Sequence, residues 1–205
     1  MKQNQFGRSM IEMLGVLAII GVLSVGGIAG YSKAMEKFKA NKWRQQVEDL
    51  IFNIKEAYKF QGQYGREDEN ILPTLKNIGI VPQEMLDANN IDILGNRLFL
   101  QMRSFNGWIR LNLQFVLPPA VQSQQTCSDL FQFMNVYNSF MWDISGCSGA
   151  NCDYPWFYTL CGNAAPKEYW ELAECKKYDL TMISNACKIC TSEPCTIVML
   201  FDNNT

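Results

Sequence analysis

The feature that most constrains this 205-residue chain is an apolar run near its N-terminus, from Met13 to Ala29. A helix of these 17 residues would be about 25 Å long, which just reaches across the hydrocarbon core of a bilayer. The run begins directly after an acidic residue, Glu12. Because acids that survive in such segments usually have a partner, Glu12 needs a physical explanation.

The apolar run has three possible interpretations. In the first, it is a cleaved secretory signal, with Lys2 and Arg8 as the basic region and Gly27 and Ala29 at the cleavage site, although the run is long for this role. In the second, it is an ordinary membrane anchor and Glu12 is an interfacial residue. In the third, a short leader is removed before the run and the apolar helix is retained.

The helical pattern continues beyond the apolar run. Apolar residues recur every three or four positions, which is typical of one face of an amphipathic helix. These residues are Tyr31, Met35, Phe38, Trp43, Val47, Leu50, Ile54 and Tyr58. The pattern predicts one helix from Met10 to about Phe60, apolar all round in its first half and one-sided in its second.

The strongest strand signal lies in residues 97–117. Apolar and polar residues alternate along 109–115, which predicts a half-buried strand. Asn106-Gly107 separates two strand-like runs and predicts a hairpin with a type I′ turn. The expected buried residues are Leu98, Leu100, Met102, Ile109, Leu111, Leu113 and Phe115, and the alternating polar residues are Arg110, Asn112 and Gln114.

Two helices and a strand are predicted in the C-terminal part. Thr126 and Asp129 resemble a capping box, so a short helix is expected from there to Met141. Pro166 is suited to open a second helix. The segment Cys195–Phe201 is apolar and rich in β-formers, and it is expected to be a strand.

The stretches 143–165 and 177–194 are expected to be loops held together by cysteines. An aromatic cluster lies in the first of them, and it either fills the core of a small subdomain or forms a recognition surface. The cluster is Tyr154, Trp156, Phe157 and Tyr158.

The eight cysteines all lie in the last 79 residues of the chain. An even number of cysteines after a possible membrane span favours disulfides and an oxidising compartment. The spacing of Cys187 and Cys190 also suits zinc or redox chemistry, but the chain has no histidine and no second such pair. The cysteines are Cys127, Cys147, Cys152, Cys161, Cys175, Cys187, Cys190 and Cys195.

Charge is unevenly distributed along the chain. Residues 31–66 carry eight basic and four acidic side chains, whereas residues 127–205 carry four basic and nine acidic ones, a net of −5. The acidic C-terminal part disfavours nucleic-acid binding, which needs a basic surface. The basic residues after the apolar run favour a cytoplasmic location for the C-terminal side of the span, whereas the clustered cysteines favour export, and we give the cysteines more weight.

The N-terminal sequence resembles that of type IV pilins and type II secretion pseudopilins. The likeness covers residues 7–35: a short basic leader that ends in Gly7, Glu12 as the fifth residue after it, and then the apolar run. It implies that a prepilin peptidase cuts between Gly7 and Arg8 and methylates the new terminus. It also implies that the apolar helix is retained as membrane anchor and filament core. The family usually has an apolar residue where this chain has Arg8.

In that family the glutamate corresponding to Glu12 neutralises the α-amino group of a neighbouring subunit. The resemblance therefore gives Glu12 a role in setting the axial register between subunits, because a buried amino group and a buried carboxylate each need an opposite charge.

The C-terminal part has a looser resemblance, to the head domains of type IVb pilins, in which a disulfide closes a C-terminal loop region. It suggests that Cys127 closes such a loop onto Cys187, Cys190 or Cys195, while the even cysteine count predicts four intramolecular disulfides in all. The cysteine spacing alone leaves the connectivity open.

We therefore expect an α+β fold in which a long N-terminal helix packs on a small antiparallel sheet, with a disulfide-rich C-terminal region. The expected divisions are a leader (1–7), a transmembrane or filament-core half-helix (8–30), an amphipathic half-helix (31–60), a connecting loop with a β-hairpin head (61–126) and a cysteine-rich region (127–205).

No pattern typical of an active site is found, since there is no histidine, no phosphate loop and no nucleophile elbow. We expect no enzyme activity, no cofactor and no metal. The expected function is that of a pilin, which polymerises with itself or with other pilins for attachment or surface display. The chain would move from the bacterial inner membrane into a periplasmic or extracellular filament. A type II secretion pseudopilin and a monomeric membrane-anchored binding domain are the alternatives.

Overall fold

A computed structural model describes residues 6–58, 69–105, 108–150, 152 and 156–201. The chain forms two compact units, Met1–Lys42 and Trp43–Thr205. Helix α1 spans Phe6–Tyr58 and contributes to both units. The end predicted for this helix, near Phe60, lies outside the described residues.

The first unit is helical and its apolar surface is uncovered. Every large apolar side chain from Met10 to Tyr31 is exposed, with Val22 and Ile11 each at 74%. Of the described helices, α1 alone is long and apolar enough to cross a membrane. The most apolar 18-residue segment of α1 has no buried residue. This part of α1 is therefore compatible with a membrane anchor and differs from the core helix of a soluble domain.

The second unit is built on a five-stranded antiparallel sheet in the order β1-β2-β5-β3-β4. The strands are β1 Arg97–Phe105, β2 Trp108–Leu117, β3 Met141–Ser148, β4 Trp156–Cys161 and β5 Cys195–Phe201. The helices are α2 Leu72–Asn77, α3 Val121–Tyr137, α4 Lys167–Leu172 and α5 Leu180–Ala186, with a 3₁₀ turn over Cys187–Thr191. The α+β fold predicted from the sequence is confirmed.

The core lies between one face of the sheet and the part of α1 that belongs to this unit. Helix residues at the predicted spacing are buried against the strands, and Trp43 packs edge-on to Phe115 with 6.1 Å between ring centroids. The buried apolar side chains of α1 are Trp43, Val47, Leu50, Ile51 and Ile54. Earlier on the same helix, Tyr31 and Phe38 are exposed, so the one-sided pattern packs within the chain only from Trp43 onward.

Two polar contacts fix this stretch of α1. The Trp43 Nε1 donates to Asp92 Oδ2 at 2.6 Å, and the Arg44 guanidinium pairs with the Asp129 carboxylate at 2.8 Å. Burial raises the pKa of Asp92, although hydrogen bonds from Asn96 and other donors oppose that shift. These contacts tie the helix to the 87–96 loop and to α3, and so they add directional bonds to the apolar packing.

The hairpin is found where it was predicted. Strands β1 and β2 pair from Arg97 with Val116 to Phe105 with Trp108. The Asn106-Gly107 turn lies outside the described residues. The predicted inward side chains are fully buried wherever they are described, namely Leu98, Leu100, Met102, Leu111, Leu113 and Phe115.

The capping box predicted at Thr126 and Asp129 is wrong. Helix α3 begins at Val121, directly after Pro118-Pro119 and Ala120, because the prolines end β2 and leave the chain free to turn into a helix at once. Thr126 then lies within the helix and donates from its hydroxyl to the Gln122 carbonyl oxygen. Met141, expected at the end of this helix, instead opens β3.

The two cysteine-held loops are also wrong as predicted. Stretch 143–165 contains most of β3 and all of β4, and stretch 177–194 contains α5 and the 3₁₀ turn. Strand β3 carries Asp143, Ser145 and Gly146, which are uncommon in strands. Pairing with β5 and β4 along its length overrides that weak propensity.

Candidate functional site

The N-terminal part of α1 carries the residues that the resemblance singles out. Gly7 and Arg8 lie in its first turn, and Glu12 follows one turn later and is exposed. Positions 8 and 12 share a helix face because they are four residues apart. The chain therefore presents one acid at the leading edge of an uncovered apolar helix.

The glycines of this segment leave room for close neighbours. A Cβ built at any of them would meet no atom within 4 Å, which holds for Gly15, Gly21, Gly26, Gly27 and Gly30. Small residues on a membrane helix let a second helix approach closely. This surface is suited to packing against other helices as well as against lipid.

The C-terminal region contains four disulfides, and they use all eight cysteines. Cys127 of α3 bonds to Cys187, which is one of the three partners named from the sequence. The other three pairs are Cys147 with Cys152, Cys161 with Cys175, and Cys190 with Cys195. The described residues hold no cluster of His, Cys, Asp or Glu that suits a metal.

The sheet face that points away from α1 carries a buried acid, Asp143 on β3. It is 2% exposed, and the Tyr169 hydroxyl donates a hydrogen bond to its Oδ2. The Ser145 hydroxyl lies 3.4 Å from its Oδ1. Burial raises the pKa of Asp143 to about 7, and the bonds from Tyr169 and Ser145 only partly oppose that shift.

An aromatic and cationic group adjoins this acid. The Arg110 guanidinium lies 3.9 Å from the ring centroid of Trp142, and Trp142 packs edge-on to Tyr169 at 5.2 Å. Burial is the largest cause that raises the pKa of the Tyr169 phenol, and the Asp143 charge adds to it. The phenol therefore stays protonated throughout the physiological range and remains a hydrogen-bond donor to the Asp143 side chain.

The raised pKa of Asp143 predicts that stability falls as pH rises. The folded protein holds the Asp143 proton up to about pH 7, whereas the unfolded chain releases it near its ordinary value, about 3.9. The folded state therefore binds more protons in that window, and its stability is lost as pH rises through it. Asp143→Asn removes this dependence. The difference in melting temperature, variant minus wild type, should therefore be larger at pH 8 than at pH 5 by roughly 3 °C or more.

The measurement is thermal unfolding by near-UV circular dichroism at both pH values. Asp92 also has a raised pKa, but it is present in both proteins and its contribution cancels in the difference. The same melting-temperature difference between wild type and Asp143→Asn at pH 5 and pH 8 would contradict a raised pKa for Asp143.

Sequence reasoning missed this group of residues. Alternation marked Arg110 and Asn112 as the polar side of a half-buried strand, yet each is only 3% exposed. Their spacing of two residues along β2 does indicate that Arg110 and Asn112 lie on the sheet face away from the core. Nothing in the spacing of residues 156–176 indicates that this stretch covers that side.

Searches against protein-family models and against curated protein sequences gave no match for this chain. Its function therefore has to be inferred from the chemistry and placement of its own residues.

Proposed function

We propose that this chain is a structural subunit of a type IV-like pilus. It would be held in the inner membrane by the first part of α1, processed by a prepilin peptidase and polymerised through that helix. The observation that carries the proposal is the combination of one acid, Glu12, with an uncovered apolar helix that runs without a break into a folded α+β unit.

The exposed apolar surface of α1 needs a covering, and two environments supply it in turn. Lipid covers it before assembly, and neighbouring helices of a filament cover it afterwards. An acid is costly in both environments unless it is paired. A cleaved chain carries an α-amino group at Arg8, and the Glu12 carboxylate of an adjoining subunit is a suitable partner.

The folded unit supports a location outside the cytoplasm. Four disulfides persist only where the compartment is oxidising, which fits the periplasm or the cell exterior. On this proposal the 43–201 unit lies on the outside of the filament and serves attachment or surface display. Its partners are further copies of the chain or related pilins, and no nucleic acid is expected.

A pseudopilin of a type II secretion system is the second candidate, because it would have the same N-terminal signature and the same polymerisation chemistry. The elaborate cysteine-rich region favours a filament exposed to the exterior. Extracellular filaments in sheared material from expressing cells would support the pilus, and filaments confined to the periplasm would support the pseudopilin. A chain that stays monomeric in the membrane in the presence of a complete pilus assembly system would contradict both.

Processing of the leader is directly testable. Because the basic leader lies before the apolar run, we expect a prepilin peptidase to cut between Gly7 and Arg8. Intact mass spectrometry of the membrane protein should then show loss of residues 1–7 when the peptidase is co-expressed, and full length without it. Gly7→Leu is the matched variant that should stay uncut. A mature terminus near Gly30 would instead establish a secretory signal.

A further inference from the structure

A cavity of about 460 Å³ lies on the sheet face that points away from α1. Its floor is formed by residues that the strand register aligns. Asn112 faces Leu200 across β2 and β5, and Leu200 faces Asp143 across β5 and β3. The volume is within the range of small-molecule sites, which is roughly 300 to 1,000 Å³.

The walls come from the segment that closes over this face. Tyr169, Leu172 and Lys176 of this segment line the cavity together with Phe157. Leu172, 64% exposed, and Trp156, 36% exposed, line the cavity and reach solvent. Exposed apolar side chains at the opening of a cavity are typical of a surface that contacts a ligand.

One polar atom in the floor lacks a hydrogen-bond partner. Asn112 is 3% exposed, and its Oδ1 accepts no hydrogen bond from the described residues. A buried acceptor left without a donor destabilises the folded protein, and such atoms are rare in folded proteins. A ligand hydroxyl placed in the cavity would supply the missing donor.

The other polar groups in the cavity include both donors and acceptors. Asp143 offers a carboxyl group and Arg110 a guanidinium, and Ser145 and Thr159 offer hydroxyls that already bond to each other at 3.2 Å. A hydroxyl is the ligand group that both donates and accepts, so it suits this mixture. Since acid and base are both present in the lining, neither a strong anion nor a strong cation is favoured.

We propose that this cavity binds a neutral hydroxylated ring, that is, a terminal sugar of a saccharide. The sugar hydroxyls would bond to Asn112, Asp143 and Arg110, and the apolar face of the ring would lie against Trp156 and Leu172. The cavity is formed within one chain, so binding does not require filament assembly, and its failure would leave the proposed pilus function untouched.

The test is saturation-transfer difference NMR on the full chain. The protein is held in micelles of a zwitterionic detergent without a sugar headgroup, because a glycoside detergent would compete. The probes are four neutral sugars, glucose, galactose, mannose and N-acetylglucosamine, with glucuronate and glucosamine as anionic and cationic counterparts at the same millimolar concentration. We expect transfer to at least one neutral sugar, stronger than to either charged counterpart.

Asn112→Leu should weaken binding of that sugar about fivefold or more, as expected for one lost hydrogen bond, without lowering the melting temperature. Gln45→Leu is the matched control, because it makes a similar amide-to-leucine change at an exposed position of α1, and it should bind as wild type does.

If Asn112→Leu does not fold, Trp156→Ala at the exposed mouth tests the same site. The proposal is overturned by no transfer to any neutral sugar, by stronger transfer to a charged one, or by unchanged binding in the folded cavity variants.

Discussion

Glu12→Ala is expected to reduce filament yield to roughly a tenth of wild type or less, because removal of one member of a buried charge pair leaves the other uncompensated. The cation left behind is the α-amino group of Arg8 in an adjoining subunit. Membrane insertion and cleavage after Gly7 should both persist, since neither needs a second copy of the chain. If the helix is only a membrane anchor, Glu12→Ala should do no harm, because loss of an interfacial acid would leave membrane insertion unchanged or improve it.

The measurement compares the subunit in sheared surface fractions with the subunit in membranes, with the assembly system present. Glu12→Gln keeps the shape and removes the charge, so it separates electrostatics from packing. Glu36→Ala is the control, because Glu36 is exposed on the same helix beyond the apolar run, and it should assemble normally. Normal filaments from both Glu12 variants would remove this carboxylate from the assembly mechanism.

The second large effect is expected from the disulfide between Cys127 and Cys187. Both residues are fully buried, and the bond closes a loop with a sequence separation of 60. The double variant Cys127→Ala and Cys187→Ala should lower the free energy of unfolding by about 4 kcal/mol, since a longer closed loop constrains the unfolded chain more. Urea unfolding followed by tryptophan fluorescence gives the value.

The pair Cys147 and Cys152 provides the internal comparison. Its sequence separation is 5, so the same change there should cost only about 2 kcal/mol. An equal loss from both double variants would show that loop length does not govern the stabilisation, and a larger loss from the short loop would contradict the chain-entropy account outright.

The parts of the fold that could be predicted depend on local periodicity. Helix α1 follows from a spacing of three to four and the pairing of β1 with β2 follows from a spacing of two, although α1 begins at Phe6, four residues before the predicted start. Strand β3 could not be recognised, because Asp143, Ser145 and Gly146 interrupt its apolar pattern, and their place in a strand depends on pairing with β5 and β4.

The cavity depends on contacts that no local pattern encodes. Tyr169 reaches Asp143 across 26 positions of sequence, and the disulfide from Cys161 to Cys175 encloses the stretch that carries Tyr169. Alternation indicates that Asn112 points away from the core, but it does not say whether solvent or another segment lies there. The resemblance to pilins likewise reaches only residues 7–35 and contributes nothing to this region.

Strand β5 comes last in sequence among the described strands, yet it lies in the centre of the sheet, paired with β2 on one side and β3 on the other. The β1-β2 and β3-β4 hairpins do not pair with each other directly. They become one sheet only when residues 195–201 pair between them. Such long-range closure is slow, because the chain entropy is lost before the contacts form. In a chain exported as proposed, the five-stranded sheet can therefore be completed only after residues 195–201 have crossed the membrane.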